Sequence, residues 1–68
     1  MNFAEFQKKI HEKGYLILCL NDYKKDGEFY TFIGIQDKSG HGYNAEGLSG
    51  NLDNVYNELI GKINKSNN

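Results

Sequence analysis

Residues 15–37, YLILCLNDYKKDGEFYTFIGIQD, constrain this chain more than any other part of it. Two stretches rich in β-branched, aromatic and leucine residues, 15–21 and 28–37, flank a polar cluster that contains Asp26-Gly27. An Asp-Gly pair between such runs is a strong turn signal, because the turn needs residues that tolerate positive φ. The reading is an antiparallel hairpin with a loop of about six residues. The stretch HGYNAEGL, residues 41–48, supplies a third, shorter strand after a second turn over 38–40.

Helical spacing brackets these strands. Phe3, Phe6 and Ile10 fall at i, i+3 and i+7. Asn2 followed three residues later by Glu5 fits a capping box, and Gly14 stands where a left-handed residue ends a helix. The first helix is therefore expected over 3–13. Leu52, Val55, Tyr56, Leu59, Ile60 and Ile63 keep the i, i+3, i+4, i+7, i+8, i+11 spacing without a miss, and Asn51 or Ser49 can cap the start. This predicts a second helix over 52–64. The order αβββα gives an α+β two-layer sandwich: a three-stranded antiparallel sheet with two helices on one face. Residues 1–65 form the single domain, and 66–68 are expected to fray, having nothing to pack.

Size and charge narrow the function. Sixty-eight residues make one core, and a chain this short buries only about 60% of its unfolded surface, so its stability is expected to be a few kcal/mol. The lone Cys19 excludes an internal disulfide, and its apolar neighbours predict a buried thiol in a reducing compartment, the cytoplasm. The start MNFAEFQKKI has no apolar stretch of secretory length, and the run of residues 15–20 is far short of the ~20 residues that span a bilayer. All eight basic residues are lysine, and they are interleaved with nine acids for a net charge of −1. No whole-molecule field draws the protein to nucleic acid or to an anionic membrane, and without arginine the planar fork that grips phosphate bidentately is absent.

Chemistry-bearing motifs are weak. The glycines of DKSGHGYNAEGLSGN do not form a phosphate loop, because Lys38 and Ser39 precede them and Gly42 leads into strand-like residues rather than a helix. They read as turn and bulge positions. Asp37, Ser39 and His41 have the residue types of a nucleophilic triad, yet three alternating residues in a hairpin turn lack a pocket and an oriented base. His11, His41 and Cys19 lie on different elements without metal-ligand spacing. The expectation is no catalytic residue, no metal and no cofactor: the chain is not read as an enzyme, and no small-molecule substrate is expected.

The strands carry more apolar surface than a one-sided sheet requires. Strict alternation places Leu16, Leu18 and Leu20 on one face and Tyr15, Ile17 and Cys19 on the other, while Phe29, Thr31, Ile33 and Ile35 oppose Tyr30, Phe32, Gly34 and Gln36. Two helices of about twelve residues cover one face and hardly both, unless they straddle the sheet. Tyr15, Ile17, Tyr30 and Phe32 are thus the expected partner-binding residues. At ~25 cal/mol per Å², about 300 Å² of such surface represents several kcal/mol available to a partner. That partner is a heterologous protein or a second copy, with nucleic acid ranked behind because only Lys24, Lys25 and Lys38 sit near the hairpin ends.

Two families are similar in layout. The element order and length resemble the double-stranded RNA-binding domain, whose grip comes from lysines at the start of the second helix. The matching stretch, SGNLDNVYNE, carries Asp53 and Glu58 and no lysine before Lys62, so that resemblance implies the shape and not the activity. GYNAEGLSGNLDNVYNELIGKI is also similar to HicB-like antitoxins, in which a strand ends in a glycine turn and runs into an amphipathic helix, although their usual turn sequence is missing. Nine asparagines with no arginine, proline or tryptophan match the codon bias of AT-rich bacterial or phage genomes. The function expected is a small non-enzymatic protein-binding module, of the kind a phage or mobile element uses to inhibit a host factor. The alternative is a nucleic-acid binder like the double-stranded RNA-binding domain.

Overall fold

The computed structural model describes residues 1–66 and has the order α1 (Phe3–Glu12), β1 (Tyr15–Lys25), β2 (Glu28–Asp37), β3 (Gly42–Leu48) and α2 (Leu52–Ser66). The strands form one antiparallel sheet in the order β1-β2-β3, so the fold is αβββα within the α+β class.

The helix ends follow from their caps. Asn2 Oδ1 accepts the Glu5 N–H at 2.8 Å and the Glu5 carboxylate accepts the Asn2 N–H, closing the capping box. Gly14, at φ 88°, ends α1 in the left-handed region, where a side chain would be strained. Asn51, not Ser49, caps α2 by accepting the Asn54 N–H, while Ser49 pairs its hydroxyl with that of Thr31 at 2.7 Å. α2 continues through Lys65 and Ser66, two residues past the predicted end; the rest of the predicted frayed tail, 67–68, lies outside the described residues.

The first hairpin differs from the expected one. β1 does not stop at Asn21 but runs on to Lys25, and the loop is Asp26 and Gly27 alone, with φ of 52° and 82°. Positive φ at both central residues is what a type I′ turn requires, and its twist matches that of the flanking strands. The polar residues 21–25 belong to a strand because their partners across the ladder hold them there, against their own weak β preference.

Both helices feed one core. Phe6 and Ile10 from α1, Val55, Leu59 and Ile63 from α2, and Ile33, Ile35 and Ala45 from the sheet are buried in a single cluster. In the register Ile33 lies opposite Ala45, so these sheet residues share one face, the core face. Gly47 belongs to the same face: a Cβ there would meet Val55 Cγ2 at 3.1 Å, so its absence lets β3 and α2 pack closely.

Leu59 is fully buried at the centre of α2's apolar stripe. Leu59→Ala is expected to cost about 2–5 kcal/mol, most of the stability a chain this short holds, and urea unfolding of wild type and variant measures it. A loss below about 0.5 kcal/mol would contradict this account of the core.

Candidate protein-contact face of the sheet

Which side chains leave the core is decided by the turn and by one irregularity. From the tight turn, β1 pairs with β2 without a break: Lys25 with Glu28, Tyr23 with Tyr30, Asn21 with Phe32, Cys19 with Gly34. These pairs alternate with Leu20–Ile33 and Asp22–Thr31, which lie on the core face. Between Ile17 and Cys19 the register shifts, with Leu18 as the additional residue of a β-bulge. Beyond it Ile17 faces Ile35 and Tyr15 faces Asp37, so the odd-numbered residues return to the core face.

The four residues expected to bind a partner are therefore divided. Tyr15 and Ile17 are half-buried against the core cluster, with the Tyr15 ring 6.1 Å from that of Tyr43, and they do not share a face with Tyr30 and Phe32. The alternation that joined them assumes a regular strand, and the bulge breaks it. Leu16 and Leu20 are likewise on opposite faces, because Leu20 lies across from buried Ile33. Cys19, expected to be buried, is exposed on the outer face, its Sγ in the space a side chain at Gly34 would fill: a Cβ there would come within 2.7 Å of the sulfur.

The outer face is centred on an aromatic group. Tyr23 and Tyr30 stack with centroids 5.5 Å apart and planes 12° from parallel, and Phe32 follows Tyr30 on the same face. The Tyr23 hydroxyl reaches across β2 to β3 and donates to Glu46 Oε2 at 2.5 Å. That bond, with a smaller contribution from desolvation, raises the Tyr23 pKa above its ordinary 10.0, because the phenol proton is shared with a carboxylate. Leu48, across from Tyr30, and Leu16 are exposed at the margins. Beside this group a shallow depression of about 210 Å³ is bounded by Leu18, Cys19, Phe32, Gly34, Tyr43 and Asn44, among others. Drug-sized ligand sites run to about 300–1,000 Å³.

Sequence reasoning placed Tyr23 in the loop and so missed it. The signal was present: an Asp-Gly turn of two residues, counted outward, puts Tyr23 opposite Tyr30. Glu46 is legible only once the third strand's register is known.

The Asp37-Ser39-His41 group is a turn staple. Asp37 Oδ1 accepts the Ser39 hydroxyl at 2.8 Å and the backbone N–H groups of Ser39 and His41 at 3.0 and 2.9 Å. The serine thus spends its proton on the acid, and the His41 imidazole, 3.3 Å from Ser39 Oγ, is mostly in solvent. Gly40 completes the turn at φ 95°. The Ser39 hydroxyl, ahead of the backbone donors, holds the Asp37 carboxyl below its ordinary pKa of 3.8. Among the described residues, no group of three or more His, Cys, Asp or Glu side chains is placed to hold a metal ion. No helix among them is long and apolar enough to cross a membrane.

Comparison with protein-family models, curated proteins and solved structures finds no match, so the likeness to the double-stranded RNA-binding domain and to HicB-like antitoxins stays one of layout.

Two outcomes follow from these bonds. Glu46→Gln is expected to bring the Tyr23 phenol back toward 10.0, read by ultraviolet absorbance titration against a Tyr23→Phe control. A lowered carboxyl pKa in the folded state stabilises the fold above the unfolded value of 3.8, and the contribution disappears as acid protonates the group. Asp37→Asn should therefore be less stable than wild type at about pH 6, with the gap closing toward about pH 2. A constant gap across that range would show that the carboxylate charge does not matter to the turn.

Proposed function

We propose that this protein is a small non-enzymatic binding module that grips another protein with the outer face of its sheet, through Tyr23, Tyr30, Phe32 and Leu48. The observation that carries this reading is the Tyr23–Tyr30 stack, fixed at one end by Glu46 and set across the three strands of the sheet. Aromatic side chains already held in place lose little conformational freedom on binding, which is why Tyr and its relatives dominate the energetic centres of protein interfaces. The module acts in the cytoplasm, where the exposed Cys19 thiol stays reduced. Occupying a host protein on behalf of a phage or mobile element is a role such a module serves.

Glu46 separates this reading from nucleic-acid binding. An aromatic platform that stacks bases is normally rimmed by cations, whereas here a carboxylate sits against the aromatic group and repels phosphate. Lys25 stands next to Tyr23 on the outer face but lies opposite Glu28, Lys24 is on the core face, and Lys38 is in the opposite turn.

The test combines two measurements. Tyr30→Ala with Phe32→Ala is expected to keep the far-ultraviolet circular dichroism of the wild type while losing the proteins that immobilised wild type retains from cell extract. Mobility-shift titrations with duplex RNA, duplex DNA and single strands are expected to show no complex at about 50 mM salt. Tight binding that weakens steeply as salt rises would overturn the protein-contact reading in favour of nucleic acid.

A further inference from the structure

Among the described residues, the order β1-β2-β3 leaves β1 with a strand neighbour on one side only. Edge strands are usually kept short or otherwise blunted, because their free N–H and C=O groups template pairing with another chain. β1 is 11 residues long, about twice the common strand length, and residues 18–29 are exposed without a break. β3 ends at Leu48, opposite Tyr30, and the Ser49 N–H still bonds to the Phe29 carbonyl, so the hairpin stands out as a two-stranded arm only around its turn.

The turn determines which backbone groups of the arm are free. In a two-residue hairpin the flanking residues, Lys25 and Glu28, exchange both of their hydrogen bonds, and residues inward alternate. Lys25, Tyr23 and Asn21 thus bond to β2, and Lys24, Asp22 and Leu20 turn their N–H and C=O outward. The bulge at Leu18 ends this regular edge, so residues 20–25 are what a partner strand can use.

Charge selects the register. A two-fold axis at Asp22 would set Asp22 against its own copy, and one at Lys24 would set two lysines together; an axis at Asn21 would place Leu20 against Asp22. An axis at Tyr23 sets Asp22 against Lys24 of the second copy and Lys24 against its Asp22, two pairs of opposite sign at positions whose backbone groups are free, and leaves Leu20 only beside the turn residue Asp26, outside the strand. It also confines the pairing to the stretch between the bulge and the turn, so residues 15–18 of the two molecules point away from each other. From this self-complementarity we infer that two copies of the chain pair antiparallel through the outer edges of β1, centred on Tyr23, into a continuous six-stranded sheet. The two Tyr23 rings then meet on the outer face and join the two aromatic groups into one surface. This pairing stands without the protein-contact reading, since its determinants lie on the edge and not on the face.

Sedimentation of the full chain from about 1 μM to about 500 μM tests it. Wild type is expected to dimerise reversibly. Asp22→Lys and Lys24→Asp alone each create two like-charge pairs and are expected to weaken the dimer about tenfold or more. The double variant D22K/K24D restores opposite signs and should dimerise like wild type, and an equimolar mixture of the two single variants should form a heterodimer. Tyr30→Ala with Phe32→Ala should leave dimerisation intact, whatever it does to partner capture. A wild type that stays monomeric throughout, or single variants that pair as well as wild type, would overturn the inference. So would a failure of both the double variant and the mixture to recover pairing, with circular dichroism confirming that every variant is folded.

Discussion

The two positive-φ residues Asp26 and Gly27 set the register on which the remaining geometry depends. A two-residue turn leaves one way for its strands to pair, and a slip by a single residue would exchange every side chain between the two faces of the sheet. With Lys25 fixed opposite Glu28, Ile33 falls on the core face next to Leu20, and Tyr30 meets Tyr23 on the other. The turn thus positions both the core and the aromatic group with no contact to either. Its cost is local: Asp26 holds φ at 52°, a conformation that Asp tolerates better than most residues.

The bulge at Leu18 does the opposite work within the same strand. Without it, Tyr15 and Ile17 would lie on the face of Cys19 and Tyr23, and the core would lose two of the half-buried residues that pack beside Ile35. With it, an 11-residue strand sends apolar residues to the core at its first half and aromatic and polar residues outward at its second. The small core needs this. Among the described residues eight apolar side chains are buried, few for a folded chain, and each half-buried neighbour that seals them from water adds to a narrow margin.

Element order, both helix caps, the apolar stripe of α2 and the Asp26-Gly27 turn are local features, and the residues themselves declare them. Asn2 with Glu5 and the unbroken spacing from Leu52 to Ile63 are examples. Half of the candidate site was legible, namely Tyr30 and Phe32, because β2 is regular and its alternation can be counted. The other half was missed. Residues 21–25 are polar and look like a loop unless the pairs are counted outward from Asp26-Gly27, and Leu48 takes its place only once the register of β3 is known. The single extra residue at Leu18 has no marker in YLILCLN, where no glycine or proline announces a bulge. Strict alternation therefore set Tyr15 and Ile17 beside Tyr30 and Phe32, and tertiary pairing separated them.

Tyr23 joins these levels. Its backbone is committed to β2, its ring to Tyr30 and its hydroxyl to Glu46 on the far strand, so one side chain spans the whole width of the sheet. On either side of it, Asp22 and Lys24 have free backbone groups and opposite charges on the exposed edge. Stiffening a two-stranded arm this way matters physically, because an isolated ribbon is marginally stable in water and frays before it can present a surface. A tyrosine that ties β1 to β3 at the base of the arm keeps the edge extended and the face ordered at once. The edge and the face share Tyr23, while the charges that select the pairing register, Asp22 and Lys24, belong to the edge alone.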